Sequence, residues 1–493
     1  MDEGWLLPAL VALPAACAGV SLRLRSARLA IWFCAAGTLT VAGLAATAVW
    51  VVYAAGPRFA AGGWLMLDAL SAYHLAVMLA VYSLSGLYGV SYFREEIEDG
   101  RLKVGRARRY AALWFGSLAA MMLVLLANNL GIMWVGIEAT TLLTAFLICI
   151  HVSAGSLEAM WKYLLVCSVG VAIAFTGTVL IVAAAAQAGL NGTAALLWSN
   201  LREVAPRLDP VLLKAGFALV VVGYGTKAGL APMHNWLPDA HSQAPAPVSA
   251  IFSGFLLNAA LYCVLRYLPV VEAGTGQCGW GQGIMVVFGL LSITVAAIFI
   301  VAQHDLKRLL AYHSVEHLGI IALGVGVGGL GLLAALFHTL NHSLCKALSF
   351  FCAGSLGQVY GTHDMRRVTQ VVRTSPVWGS GLVGSLLALI GVAPFSLFLS
   401  EFMILKAAVS HGAYWISGLF LAGIGVVFVG ALRHAIAMAW DPLPAPVPAR
   451  PARAAEGLLV FGPLAVLLVL GVWMPPPLLA LLTRAAGLLG GGS

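Results

Sequence analysis

Apolar residues run along this chain in blocks of about twenty, parted by short clusters of Gly, Pro, Arg and Asp. A helix needs about 20 mostly apolar residues to cross the hydrocarbon core of a bilayer. Fourteen blocks meet that length, starting near Gly4, Leu29, Trp64, Tyr110, Leu130, Met160, Pro210, Val248, Gly281, Leu309, Leu330, Pro376, Ala413 and Glu456. The pattern predicts an all-α polytopic membrane protein. The segment Asn191–Pro210 is too polar to span and reads as a short interfacial helix with a loop. The segment Asp441–Arg453 is Pro-rich and reads as a linker before the last helix.

The basic residues alternate with these blocks. Arg23, Arg25 and Arg28 fall in the first loop, and Arg94, Arg101, Lys103, Arg106, Arg108 and Arg109 in the third. Lys307 and Arg308 fall in the ninth, Arg366, Arg367 and Arg373 in the eleventh, and Arg450 and Arg453 in the thirteenth. Odd loops are basic and even loops are poor in Lys and Arg. The positive-inside rule therefore puts odd loops in the cytoplasm and both termini outside. One missed span would reverse every later loop, so the alternation supports the count.

Composition agrees. The chain of 493 residues is 61% hydrophobic and 9% charged, with a mean hydropathy of +0.95. Soluble domains carry about 25% charged residues, so a soluble enzyme is excluded. The net charge of +8 follows from membrane topology, and no nucleic-acid partner is expected. The N-terminus begins with acids rather than a basic region, so it reads as the first span and not as a signal peptide. The 8 cysteines show no CxxC spacing and read as small packing residues. No haem, flavin or iron–sulfur signature is present, and no cofactor or metal is expected.

Three charges fall inside apolar blocks: Glu138 in "NNLGIMWVGIEATTLLTAFLICI", Lys227 in "GTKAGLAPMHNWLPDAH" and Glu401 in "PFSLFLSEFMILKAAV". A charge at mid-helix costs at least about 2.5–3.5 kcal/mol, so each needs a partner or a function. The blocks holding Lys227 and Glu401 are also interrupted, by "GTKAGLAP" and "ALIGVAPF". Irregular backbone at membrane depth is tolerated only when buried in protein or lining a wet cavity. Broken helices at corresponding places in two halves point to inverted repeats with ion sites near the midplane. The seventh and twelfth spans lie five apart, which fits two five-helix units of opposite orientation. The organisation is then a three-helix segment (1–109), a first repeat (110–270), a second repeat (271–440) and the linker with the last span (441–493).

His338, His342 and Lys346 in "LFHTLNHSLCKALSF" recur every four residues and share one helical face. The glutamate of a zinc-binding HExxH motif is missing. A row of imidazoles ending in an ammonium suits a proton relay, although a buried polar seam has the same pattern. His313 and His317 repeat the spacing on the tenth span, beside Glu316. Lys162 near the start of the sixth span reads as a snorkelling or modulating residue. His234, Asp239 and His241 follow the first break and read either as an entry gate or as a capped turn. Asp68 reads as structural, and His74 is a weak candidate.

At these residues the chain resembles a known family. "GTKAGLAPMHNWLPDAHSQAPAPVSAIFSGFLLNAALYCVLRY" closely resembles the antiporter-like, proton-conducting subunits shared by complex I, Mrp cation/proton antiporters and group 4 membrane-bound hydrogenases. "EAMWKYLLVCSVG", "DLKRLLAYHSVEHLG" and "PFSLFLSEFM" look most like component F of hydrogenase-4. The resemblance runs from about Trp64 to Lys406. It implies fourteen helices, two inverted five-helix repeats, broken helices seven and twelve, and outside termini. By position it also implies a relay of Glu138, Lys227, His338, His342, Lys346 and Glu401. One departure is Asn258, where several complex I members carry a central lysine in helix eight. The chain ends soon after the fourteenth span, so the long lateral helix of the largest complex I member is not expected.

The implied function is proton translocation in a hydrogenase-4-like or complex I-like oxidoreductase of a bacterial or archaeal cytoplasmic membrane. Its partners would be other membrane subunits, a peripheral redox module and the lipid bilayer, with H⁺ and Na⁺ both open as the ion. The alternatives are a non-redox Mrp-like antiporter or proton-driven inorganic-carbon uptake complex, and a membrane scaffold with a dead channel.

Overall fold

A computed structural model describes residues 4–276, 279–442 and 453–490. Most of the Pro-rich linker, and Cys278, lie outside the described residues. Helices fill the chain in the predicted order: α1 Leu6–Ser21, α2 Ala27–Ala55, α3 Ala69–Tyr92, α4 Val104–Leu126, α5 Leu130–Ile148 and α6 Ala154–Gln187. The seventh span is broken into α7a, Pro210–Ala228, and α7b, Trp236–Gln243. Then follow α8 Ala246–Gly274, α9 Trp280–Val301, α10 Leu306–Val327 and α11 Leu330–Tyr360. The twelfth is broken into α12a, Pro376–Leu389, and α12b, Ser396–Ser410. α13 Tyr414–Trp440, α14 Ala454–Val472 and α15 Pro476–Leu489 complete the chain. Among the described residues, 11 helices are long and apolar enough to cross a membrane. The other three of the expected fourteen are the shorter α1, the broken twelfth span, and α11, which is long but carries the His and Lys row.

Polar residues at the span ends act as caps. Ser26, Asp68, Asn129, Asp209 and Asp305 each accept a backbone N–H of the first turn of α2, α3, α5, α7a and α10, which satisfies donors that the helix itself cannot. Between α2 and α3 a short hairpin pairs β1, Arg58–Ala60, with β2, Leu65–Leu67. The expected interfacial element after α6 is a helix at Trp198–Val204.

Three details differ from the sequence reading. α4 begins at Val104, so Arg106, Arg108 and Arg109 lie on its first turns rather than in the loop; Arg108 Nε donates to the Leu24 carbonyl. Lys307 and Arg308 are likewise in the first turn of α10, and both engage α7b. A further helix, α15, follows the break at Pro475–Pro477 and packs on α3, α8 and α11.

α8 and α11 form the centre, and α8 is buried along its length. α6 and α7a pack backbone to backbone. A Cβ added at Gly177 would lie 2.4 Å from the Gly216 carbonyl oxygen, and one at Gly223 would lie 2.4 Å from that of Gly170. Small residues allow this approach where a larger side chain would hold the helices apart. Both breaks turn at a glycine with positive φ, Gly229 (78°) and Gly391 (70°), and each is followed by a cis Ala–Pro bond.

Candidate functional site

Lys227 lies in the last turn of α7a, just before the first break, and is fully buried. The close contact of α7a with α6 delivers its ammonium to a pocket of hydroxyls. Nζ donates to Thr141 Oγ1 at 2.9 Å and to the Tyr163 hydroxyl, and it lies 4.5 Å from the centre of the Tyr163 ring. Tyr163 and Thr144 hydroxyls are 2.7 Å apart. Glu138 stands one turn from Thr141 on α5. Its carboxylate accepts a hydrogen bond from Ser168 Oγ at 2.7 Å, while its buried Oε2 has no partner. Among the described residues no ion pair joins Glu138 to Lys227.

The second cluster lies between α10, α11 and α12b. Lys346 Nζ donates to the Leu310 carbonyl. His313 Nδ1 and Glu316 Oε2 are 2.8 Å apart. His317 Nδ1 and His338 Nε2 are 2.9 Å apart, and His338 Nδ1 is 2.8 Å from Ser400 Oγ. His317, His338 and Glu401 each present a ligand atom within 4.8 Å of the others, as do His313, Glu316 and His317. All of these groups are buried. The sequence assigned no metal role here, yet the donors stand close enough to gather a cation. His342 packs its ring 5.3 Å from that of His317, and neither of its nitrogens has a hydrogen-bond partner.

Glu401 lies under the second break. A Cβ at Gly391 would meet Glu401 Oε2 at 2.4 Å, and the positive φ of this turn favours glycine there as well. Glu401 also lines a 290 Å³ cavity with Phe398, Phe402, Phe420 and Phe428. Lys406 is exposed, and no ion pair joins it to Glu401 among the described residues.

Between the clusters, Ser314 Oγ shares the Leu310 carbonyl with Lys346 and lies 2.6 Å from Ser253 Oγ of α8. Ser253 sits in a π-helical segment, Phe252–Leu256, a local widening common at functional sites. Phe252 faces the Tyr163 ring at 6.1 Å. Asn258 Nδ2 donates to Gly254 O and Ser343 Oγ, both at 3.1 Å, and its Oδ1 has no partner.

The gate candidates divide. Lys162 is half-exposed and reaches Glu158 at 2.8 Å and Asp239 at 2.9 Å. Asp239 also binds Arg308 at 2.6 Å. Lys307 Nζ donates to the carbonyls of Ser242 and Ala244 at the end of α7b. The segment after the first break is thus held by two cations of α10. His241 is buried among Trp236, Phe252 and Phe350, and His234 packs on Phe299 and Tyr312. Asp68 forms a buried bidentate pair with Arg266 at 2.6 and 2.8 Å. His74 beside it bonds the Leu70 carbonyl at 2.9 Å.

Residues 127–426 match the model of the NADH:quinone oxidoreductase/Mrp antiporter transmembrane family. The chain belongs to this family. It is 39% identical over 348 residues to a hydrogenase-4 component F homolog of Methylacidiphilum infernorum (isolate V4), covering 70% of this chain and 73% of that one. It is 32% identical over 349 residues to hydrogenase-4 component B of Escherichia coli (strain K12), covering 68% of this chain and 50% of the relative. Among solved structures, an archaeal membrane-bound sulfane sulfur reductase contains a chain that superposes with a TM-score of 0.87 at 25% identity, covering 99% and 98% of the two chains. A chain of the Mrp complex from Dietzia sp. DQ12-45-1b superposes with a TM-score of 0.85 at 22% identity, covering 99% and 98%. The protein is therefore an antiporter-like, multi-pass membrane subunit related to hydrogenase-4 and complex I. Charge inside an apolar block singled out Lys227 and Glu401, and four-residue spacing the histidine row. Thr141, Tyr163, Ser253, Ser314, Glu316 and Ser400 were not singled out as site residues.

Proposed function

We propose that this chain moves protons through the membrane arm of a hydrogenase-4-like or complex I-like oxidoreductase in a cytoplasmic membrane, with both termini outside. One observation carries the reading: buried titratable groups run from Lys227 beside the first helix break to Glu401 beside the second, with hydroxyls between them. Lys227 holds a proton within reach of Tyr163 and Thr141. Loss of the Glu138 charge favours the neutral amine, because a desolvated ammonium without a counter-ion releases its proton. The proton then passes by the Ser253 and Ser314 hydroxyls towards Lys346, on through Glu316, His317 and His338, and leaves past Glu401. Unpartnered polar atoms of Asn258, His317 and His342 line this course, and buried polar atoms of that kind are ordinarily satisfied by water. Moving one charge against 100 mV costs about 2.3 kcal/mol. The reading assigns that energy to electron transfer in a peripheral redox module.

A second reading, cation/proton exchange, draws on the clustered His317, His338 and Glu401 donors. Purification of the assembly from membranes, with mass spectrometry of its subunits, separates the two. Co-purifying hydrogenase-like or quinone-binding subunits support the redox reading. An assembly without them, showing Na⁺-dependent proton exchange in vesicles, replaces it with the second.

A further inference from the structure

α2 and α3 form a two-helix wall on one outer face of the bundle, and three cavities open along it. At its basic end a 270 Å³ cavity is lined by Arg28, Trp32, Val90, Arg94 and Glu98. A second, of 220 Å³, shares Trp32, Val90 and Arg94 and reaches Leu458 and Leu459 of α14. Farther along the same helices, Ala42, Ala45 and Val49 of α2 face Leu79 and Ala80 of α3 across a 490 Å³ trough, which α15 borders with Leu478 and Leu481.

The charges at the basic end are free to act on a ligand. Among the described residues, the side chains of Arg28 and Arg94 make no hydrogen bond or ion pair. Glu98 is the exposed acid of the first cavity. The acid of the second, Glu456, is occupied by Ser91 Oγ at 2.7 Å and the Arg453 backbone N–H at 3.3 Å. Trp32 is 52% exposed at the same level, where an aromatic ring suits the membrane–water boundary.

Spacing fixes the kind of occupant. Trp32 and Ala42 are ten residues apart, about 15 Å along a helix rising 1.5 Å per residue. A ligand that meets both the arginines and the trough has an anionic head and an aliphatic chain at least about 15 Å long. The branch towards α14 offers a place for a second chain. We propose that an anionic diacyl phospholipid binds here, its phosphate held by Arg28 and Arg94 and its chains laid along α2–α3 and against α14. Guanidinium groups suit phosphate through paired N–H donors, and basic pockets between helices at a membrane surface favour anionic headgroups.

The test uses the whole assembly, purified from membranes in mild detergent and exchanged into nanodiscs of phosphatidylglycerol with phosphatidylcholine, or of phosphatidylcholine alone. Mass spectrometry would count retained lipid, and thermal unfolding would report its effect. Wild type should retain phosphatidylglycerol at least about twofold over its share of the mixture and unfold at higher temperature with it. Arg28→Gln with Arg94→Gln should lose both effects. Arg28→Lys with Arg94→Lys should keep most of them, and Arg366→Gln, at a distant loop arginine, should keep all. Ala46→Phe, which fills the trough, should lower retention with the arginines intact. Equal retention of the two lipids by wild type, enrichment unchanged in the glutamine variant, or equal protection by inorganic phosphate alone would overturn the proposal.

Discussion

The Lys227 ammonium points at the Thr141 hydroxyl, 2.9 Å away, and not at Glu138, which stands one turn farther along the same helix. The Thr141 and Tyr163 hydroxyls hold the ammonium and Ser168 holds the Glu138 carboxylate, with no hydrogen bond joining the two sets among the described residues. A hydrogen bond to a charged group contributes about 1.5–3 kcal/mol. Thr141→Val and Tyr163→Phe should each slow coupled proton uptake by roughly tenfold, and the double variant should be slower still. Wild-type uptake by the double variant, measured in vesicles, would show that the hydroxyls do not position the lysine.

Glu138 should matter through its charge. Glu138→Gln keeps a group able to accept from Ser168 yet should lose most transport, whereas Glu138→Asp should keep part. Ser168→Ala removes the observed 2.7 Å bond without touching the charge, and should cost much less. If the Gln variant pumps as well as wild type, Glu138 only fills space.

The histidines are not equivalent. His317 and His338 are joined at 2.9 Å, and His338 reaches Ser400; His342 only packs beside them. His317→Ala and His338→Ala should each reduce proton uptake more than His342→Ala does, at matched levels of assembled complex. The reverse order would move the route to the α11 face that the four-residue spacing first suggested.

Glu401 and Lys406 separate two roles. Glu401 faces Gly391, His317 and His338, and Lys406 is exposed. Glu401→Ala should impair transport with assembly intact, and Lys406→Ala should leave it unchanged. Equal losses from both variants, read by vesicle uptake, would return Glu401 to a structural ion pair.

The helices as far as α14 and the two breaks were legible because apolar block length and Gly/Pro placement are properties of single segments, whereas the short α15 after the Pro475–Pro477 break was not expected. Lys227 and Glu401 were legible because charge in an apolar block is costly. The hydroxyl partners were not, since Ser and Thr in such helices commonly bond their own i−4 carbonyl, as Thr178 and Ser349 do. Nothing in sequence separates those from Thr141 or Ser314. Glu316 was not singled out; α10 starts three residues earlier than the expected Leu309, which puts Glu316 nearly three turns inside. Lys307 and Arg308 were read as topology signals, and only the fold brings α7b over them.

The proposed route depends on the buried lysine at the first break carrying the transported proton. Its most direct test is proton uptake by vesicles holding the intact assembly with Lys227→Ala, alongside a count of assembled complex. Coupled uptake should be lost with assembly preserved. Wild-type uptake by that variant would contradict the proposed route.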